Sequence, residues 1–216
     1  MASATTRGEL EQGLAELGLP LSPEQVDRLL AYQELLAKWN RRVNLISGGE
    51  LDEFVSRHLL DSLAIAHALE SAHNILDVGS GGGLPGIPLA IALPDQQFTL
   101  LDSNGKKTRF LFQAALSLGL GNVEVANCRV EHYQSPRQID IVTCRAFSSL
   151  AEILSRTRHC FHPETELLAM KGRYPDEEIA GLPNGYRVAW TRQLTIPGID
   201  SARHLIAVRM QDTDSG

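Results

Sequence analysis

Apolar residues recur along the chain with two different periods, and the change from one to the other divides it. From about Arg7 to Leu17 the spacing predicts a short helix, closed by a turn at Gly18-Leu19-Pro20. Ser22 is placed to cap a second helix with Glu24 and Gln25 in its first turn. Leu29, Leu30, Leu35, Leu36 and Trp39 give that helix an apolar face. The run Asn44-Leu45-Ile46-Ser47-Gly48-Gly49 interrupts the pattern, and Leu51 to Leu69 resumes it. From Asn74 onward short apolar runs alternate with helical stretches. Strands are predicted at Ile75–Val78, Phe98–Leu101, Val123–Ala126, Ile139–Thr143 and Glu166–Met170, with helices ending near Leu93, spanning Lys106–Leu118 and spanning Leu150–His159. Two late strands, Tyr186–Ile196 and His204–Met210, are close enough in sequence to form a hairpin. This alternation predicts an α/β fold: a mostly parallel seven-stranded sheet with helices on both faces and an N-terminal helical extension. The expected layout is an extension over residues 1–70, a main domain over 71–210 and a flexible tail over 211–216.

Composition narrows the class. The 216 residues are 43% hydrophobic, enough for one substantial core. No apolar stretch reaches membrane-spanning length and no signal-peptide core follows the first residues, so a cytoplasmic protein is expected. Cys128, Cys144 and Cys160 match no zinc or redox spacing, and the seven histidines show no metal pattern; reduced cysteines and no metal are expected. A net charge of −6 argues against broad affinity for nucleic acid but leaves room for a local basic cleft.

The run Ile75-Leu76-Asp77-Val78-Gly79-Ser80-Gly81-Gly82-Gly83-Leu84-Pro85-Gly86 carries the candidate chemistry. It reads as a buried strand feeding a glycine-rich loop, then a helix with Pro85 at an early position. Glycines there let backbone approach a nucleotide-like ligand. About 23 residues past Gly79 the second strand ends in Asp102, where a carboxylate can hydrogen-bond a ribose diol. The dinucleotide pattern fails at the third glycine. Asp77 would repel a pyrophosphate but suits the cationic, phosphate-free ligand S-adenosylmethionine. A tight turn with no ligand and a nicotinamide enzyme remain the alternatives. No nucleophile elbow or Walker loop is present.

In an open parallel sheet the ligand crevice lies beyond the carboxyl ends of the strands. That rule collects Asp77 and Gly79, Asp102, then Arg129-Val130-Glu131, Arg145-Ala146-Phe147, Lys171-Gly172, and Arg203-His204 just before the final strand. Four cations, Arg129, Arg145, Lys171 and Arg203, thus recur along one rim, where they could bind phosphate or a guanine edge. Phe147 could stack on a base or sit in the core. His58 could face the cleft or be structural.

Taken in order, these motifs resemble the bacterial 16S ribosomal RNA guanine-N7 methyltransferase family, also called the glucose-inhibited division protein B family. The resemblance spans about residues 35–210. It adds Asn44-Leu45, Arg57-His58-Leu59-Leu60-Asp61-Ser62, Ile87-Pro88 and Leu101-Asp102-Ser103-Asn104-Gly105-Lys106-Lys107 to the runs above, and departs at Gly82, where the family often has proline. The resemblance implies a Rossmann-like, S-adenosylmethionine-dependent methyltransferase that modifies N7 of one guanine in the decoding-region loop of small-subunit ribosomal RNA. It implies cofactor contacts at Asp77, Gly79, Gly81, Leu84, Asp102, Val130, Glu131 and Arg145, and substrate contacts at Arg129, Arg145, Lys171 and Arg203. The implied partner is 16S rRNA or the small ribosomal subunit, met by a monomer. Guanine N7 has an in-plane lone pair and no proton, so the reaction needs alignment and no general base. A methyltransferase for another acceptor and a non-catalytic ribosome-assembly protein are the rival readings.

Overall fold

The computed structural model describes residues 4–47, 53–145 and 148–211. Two helices open it, α1 (Ala4–Glu16) and α2 (Pro23–Asn40). Ser22 caps α2 in a reciprocal box: its hydroxyl accepts from the Gln25 N–H, and the Gln25 side chain accepts from the Ser22 N–H. The connection that follows differs from the continuous helix its pattern predicts. It is a π-helical turn over Val55–Leu60, a single α-turn α3 (Asp61–Leu63) and a 3-10 turn over Ala66–Leu69; Leu51 and Asp52 lie outside the described residues. A π-turn is rare in a helix and marks a place where something other than the helix ladder sets the geometry. Here the wide turn aims the Arg57 carbonyl, His58 and Asp61 at one arginine, Arg145.

The main layer is then built in the order β1 (Asn74–Val78), α4 (Gly86–Ala92), β2 (Gln97–Asp102), α5 (Gly105–Leu118), β3 (Val123–Asn127), β4 (Ile141–Arg145), α6 (Leu150–Thr157), β5 (Glu166–Lys171), α7 (Asp176–Ala180), β6 (Tyr186–Ile196) and β7 (Ile199–Met210). The seven strands lie in the order β3-β2-β1-β4-β5-β7-β6. β1 to β5 pair in parallel, and β7 enters antiparallel to both β5 and β6. The order reverses between β1 and β4, which is where an open sheet offers its crevice.

Four local boundaries move. β4 begins at Ile141, two residues later than its apolar run, because the Asp140 carboxylate accepts from the backbone N–H groups of His73 and Asn74. α4 begins after Pro85, since the Gly86 N–H is held by Asp77. α6 gives way at Thr157 to a 3-10 turn over Arg158–Cys160. β7 starts at Ile199, so Arg203 and His204 stand inside the final strand and not ahead of it. Helix α7, polar and with no buried residue, leaves no periodic trace in the sequence.

Side chains alternate across the sheet and feed two cores. Ile75, Leu100, Leu168, Leu205 and Ala207 pack under α1, α2, α4 and α5, whereas Leu76, Val142, Leu167, Ile206 and Val208 pack under α6. The N-terminal helices share the first core with the sheet: Leu10, Leu29, Tyr32 and Leu36 are fully buried in it. No helix among the described residues is long and apolar enough to cross a membrane.

Candidate cofactor and acceptor clefts

A first cleft of about 430 Å³ opens over the carboxyl ends of β1, β2 and β3. Gly79, Asp102, Arg129, Val130 and Glu131 line it, joined by Lys107, Cys128 and Arg156. The loop above β1 turns through Gly79, Gly81 and Gly83, all at positive φ. Its base is tied to β2, because the N–H groups of Gly79 and Ser80 both donate to the Leu101 carbonyl, at 2.8 and 3.1 Å. Asp102 organises the wall: Oδ2 accepts from the Gly81 N–H (3.0 Å) and Oδ1 from the Asn104 N–H (2.8 Å). Each oxygen keeps a second lone pair for a hydroxyl.

Asp77 stands behind this cleft. It is fully buried, with Oδ2 accepting from the Gly86 N–H at 3.1 Å and Oδ1 without a partner among the described residues. Burial raises its pKa to about 7, against the Gly86 hydrogen bond and the Arg145 charge, which favour the anion. A cation placed nearby would restore the charged form. Leu84 is also behind the surface, packed in the first core, and lines neither cleft.

The second cleft, also about 430 Å³, lies over the ends of β4 and β5 and the adjoining half of β7. Arg145, Lys171, Arg203 and His204 line it with His58 and Asp61. Arg145 Nη1 donates to Asp61 Oδ2 (3.2 Å) and to the Arg57 carbonyl (3.3 Å), and Nη2 lies 3.0 Å from His58 Nδ1. Arg203 Nε donates to the other Asp61 oxygen, Oδ1, at 3.1 Å. Asp61 thus bridges two guanidinium groups from different strands, although its own side chain is only 7% exposed. Lys171 Nζ is engaged elsewhere: it donates to both Glu178 oxygens (3.0 and 2.8 Å) and to the Ser148 carbonyl (3.2 Å). Glu178 Oε2 also accepts from the Leu150 N–H (2.6 Å), so one carboxylate joins Lys171 to the start of α6.

Strand parity explains this partition. Arg145 is two residues on from Thr143 and four from Ile141, and Arg203 is two before Leu205, so both point to the first core's face, where Asp61 waits. Lys171 and His204 are register partners across β5 and β7 and point to the opposite face, toward α7. The cleft therefore straddles the end of the sheet.

Of the four rim cations, Arg145, Lys171 and Arg203 come together, and Arg129 lies in the first cleft instead. Arg145, expected at both ligands, lines only the second. Phe147 lies outside the described residues. Asp61 lies in the Arg57-His58-Leu59-Leu60-Asp61-Ser62 motif, but its bridging of two arginines leaves no local sign because they are 84 and 142 residues away; Glu178 meets Lys171 seven residues away across the turn into α7, a pairing that no period marks. Among the described residues no group of three His, Cys, Asp or Glu side chains could hold a metal ion, and Cys128, Cys144 and Cys160 are free thiols.

The glycine turn, the paired backbone bonds of Asp102 and the buried Asp77 fit a nucleoside cation better than a phosphate-bearing cofactor. Comparison with solved structures bears on the fold. The crystal structure of a SAM-dependent methyltransferase from Aquifex aeolicus superposes with a TM-score of 0.56 at 18% identity, covering 81% of this chain and 98% of that one. M. capricolum TrmK, solved with S-adenosylhomocysteine, gives 0.54 at 13% identity, covering 69% and 67%. Sequence likeness reaches much further. The ribosomal RNA small subunit methyltransferase G of Pseudomonas paraeruginosa is 50% identical over 210 residues, 96% of this chain and 98% of its own length. The protein of the same name from Laribacter hongkongensis is 52% identical over 203 residues, 94% and 98% of the two chains. With the family model for GidB, rRNA small subunit methyltransferase G, matching residues 25–206, the chain belongs to that methyltransferase family.

Proposed function

We infer that the protein transfers a methyl group from S-adenosylmethionine to N7 of a specific guanine in the decoding-region loop of 16S rRNA. The observation that carries this reading is the pairing of two clefts on one sheet edge, one built for a nucleoside and one rich in hydrogen-bond donors. S-adenosylmethionine supplies the electrophilic methyl carbon. The chain's own residues then do three things. Gly79 and Gly81 let the backbone approach, Asp102 holds the ribose hydroxyls through its spare lone pairs, and Val130 and Glu131 frame the adenine. Asp77, behind the loop, fixes the Gly86 N–H at the start of α4 and offers a negative charge to the methionine end. Arg129 in this reading serves the first cleft.

In the acceptor cleft Arg145 and Arg203 orient the base or its phosphates through donors not spent on Asp61. A guanidinium directly on N7 would block the attacking lone pair, so donation to O6 or phosphate is the productive mode. The charge arithmetic suits the chemistry. Two arginines share one carboxylate and Lys171 is matched by Glu178, which leaves many donors with little net positive charge. The guanine ring becomes cationic as it is methylated, and a more positive cleft would oppose that. Lys171 acts mainly by holding the segment after β4 against α7.

Residues 1–70 serve as an extension over the main domain of residues 71–210. The enzyme works as a cytoplasmic monomer on 16S rRNA or the small subunit. Incubation with labelled S-adenosylmethionine and small-subunit RNA or subunits from cells lacking the modification tests this, with nuclease digestion and mass spectrometry to place the label. Label on N7 of one decoding-region guanine is expected, and no transfer to either form would overturn the assignment. In the same assay Asp102→Ala should weaken cofactor binding by about tenfold or more, read by calorimetry; unchanged affinity would remove Asp102 from the ribose.

A further inference from the structure

Three large apolar side chains are exposed among the described residues: Phe112, Leu116 and Tyr174. The first two lie on α5 and border a groove beside β3, at the far edge of the sheet. Tyr174 is different. It sits in the short segment between β5 and α7, three residues past Lys171, and 43% of it is exposed. Its ring meets His204 at 5.5 Å between centroids and 79° between planes. His204 lines the acceptor cleft and is the register partner of Lys171. Its Nδ1 is buried with no hydrogen-bond partner among the described residues, so the imidazole is held there by packing against rings and strands.

Arg145 and Arg203 reach the cleft from one side of the sheet's end, where Asp61 holds both guanidinium groups. The opposite side carries His204, which lines the cleft, with the partly exposed Tyr174 packed against it; Tyr174 follows the cleft-lining Gly172 by two residues and stands beside the cleft, outside its lining. We propose that Tyr174, seated on His204, is the surface on which the target guanine stacks, and that it favours the methylated, cationic ring over the neutral one. This rests on the reading of the second cleft as the guanine site. Bond formation from N7 to the methyl carbon leaves the ring positively charged and releases no proton. The π-face of a tyrosine attracts that charge as it develops. Such an interaction is stronger in the transition state than in the ground state and raises turnover more than binding. An exposed aromatic facing solvent costs the free protein solubility; its place against His204 gives it a use.

The test compares wild type, Tyr174→Phe and Tyr174→Leu on small subunits lacking the modification, measuring kcat, KM for subunits, and S-adenosylmethionine affinity by calorimetry. Loss of one base–aromatic stack predicts a drop of roughly 5- to 150-fold in kcat/KM for the leucine variant. Most of it should fall in kcat, with cofactor affinity and melting temperature unchanged and the phenylalanine variant close to wild type. A leucine variant as active as wild type overturns the proposal, as does a loss that phenylalanine fails to rescue or that tracks a fall in cofactor affinity or melting temperature. Wild-type inactivity on these subunits would instead strike the functional assignment beneath it, so the two failures are distinguishable.

Discussion

Asp61 holds Arg145 and Arg203 at once, so its charge sets the geometry of both. Asp61→Asn keeps the shape and removes the charge. Methyl transfer should fall by about tenfold or more while S-adenosylmethionine affinity holds, because the bonds lost are the charge-assisted ones in the acceptor cleft. The accompanying loss of stability should stay near 1–3 kcal/mol, since the arginine side chains remain 18% and 23% exposed and water takes part of the cost. Equal losses in cofactor affinity would place Asp61 in the other cleft. Asp77 makes a prediction about pH. Its folded pKa is raised to about 7 by burial, above the ordinary carboxylate value. Between the two values the folded protein keeps a proton the unfolded chain has released, so stability from this group falls as pH rises toward 7 and stays low above it. Asp77→Asn cannot ionise. Its urea midpoint relative to wild type should therefore improve from pH 5 to pH 8, and a constant difference would show that Asp77 is charged throughout.

At the level of elements, the joint between β1 and α4 is the tightest in the molecule's working edge. A Cβ on Gly86 would lie 2.2 Å from Leu100 Cδ2 and 2.7 Å from Asp77 Oδ2. Gly86→Ala should cost about 1–3 kcal/mol in chemical denaturation, as overpacking does, and should weaken cofactor binding by displacing Asp77. A neutral outcome would mean that α4 can slide outward. Legibility in the sequence follows the same physics. β1, β2 and β5 were readable because a largely buried strand writes an apolar run, and the edge strand β3 because Val123 and Val125 alternate with the exposed Glu124. Tyr186–Ile196 was readable as a strand before a hairpin. The first residues of β7 were not, because Asp200, Ser201 and Ala202 are exposed and write no apolar run. The π-turn was not, because its residues keep an apolar helical spacing while the chain winds wider. Arg145 and Lys171 were legible as strand ends, whereas Arg203 stands inside β7 and Arg129 past the end of β3; the side each takes follows from parity and from Asp61 and Glu178, ion pairs that leave no period to read.

The molecule as a whole is stitched together behind the glycine loop. Tyr32, on α2 and fully buried, donates to the Gly82 carbonyl at 2.5 Å, and Leu36 and Leu45 close on the same glycine. Burial pushes the Tyr32 phenol's pKa upward, so it stays a donor at any working pH. The N-terminal helices therefore hold the glycine loop from behind. Tyr32→Phe leaves that carbonyl unpaired and should cost about 1–3 kcal/mol, with weaker S-adenosylmethionine binding. A variant of full affinity would show that the loop keeps its shape without α2. By the same coupling, saturating cofactor should protect α1 and α2 from proteolysis, though they sit apart from the cleft.

The neighbours Arg203 and His204 serve opposite sides of the cleft because consecutive strand residues face opposite ways. This imposes an arithmetic on descent. The turn at Pro197-Gly198 lies beyond the pairing, so a change in its length leaves the register of β7 alone. Within β7, between Arg203 and the buried run from Leu205 to Val208, length can change only in steps of two. A single insertion there would turn the guanidinium and the imidazole each to the other face of the sheet, while the buried run from Leu205 to Val208 kept its pairing with β5.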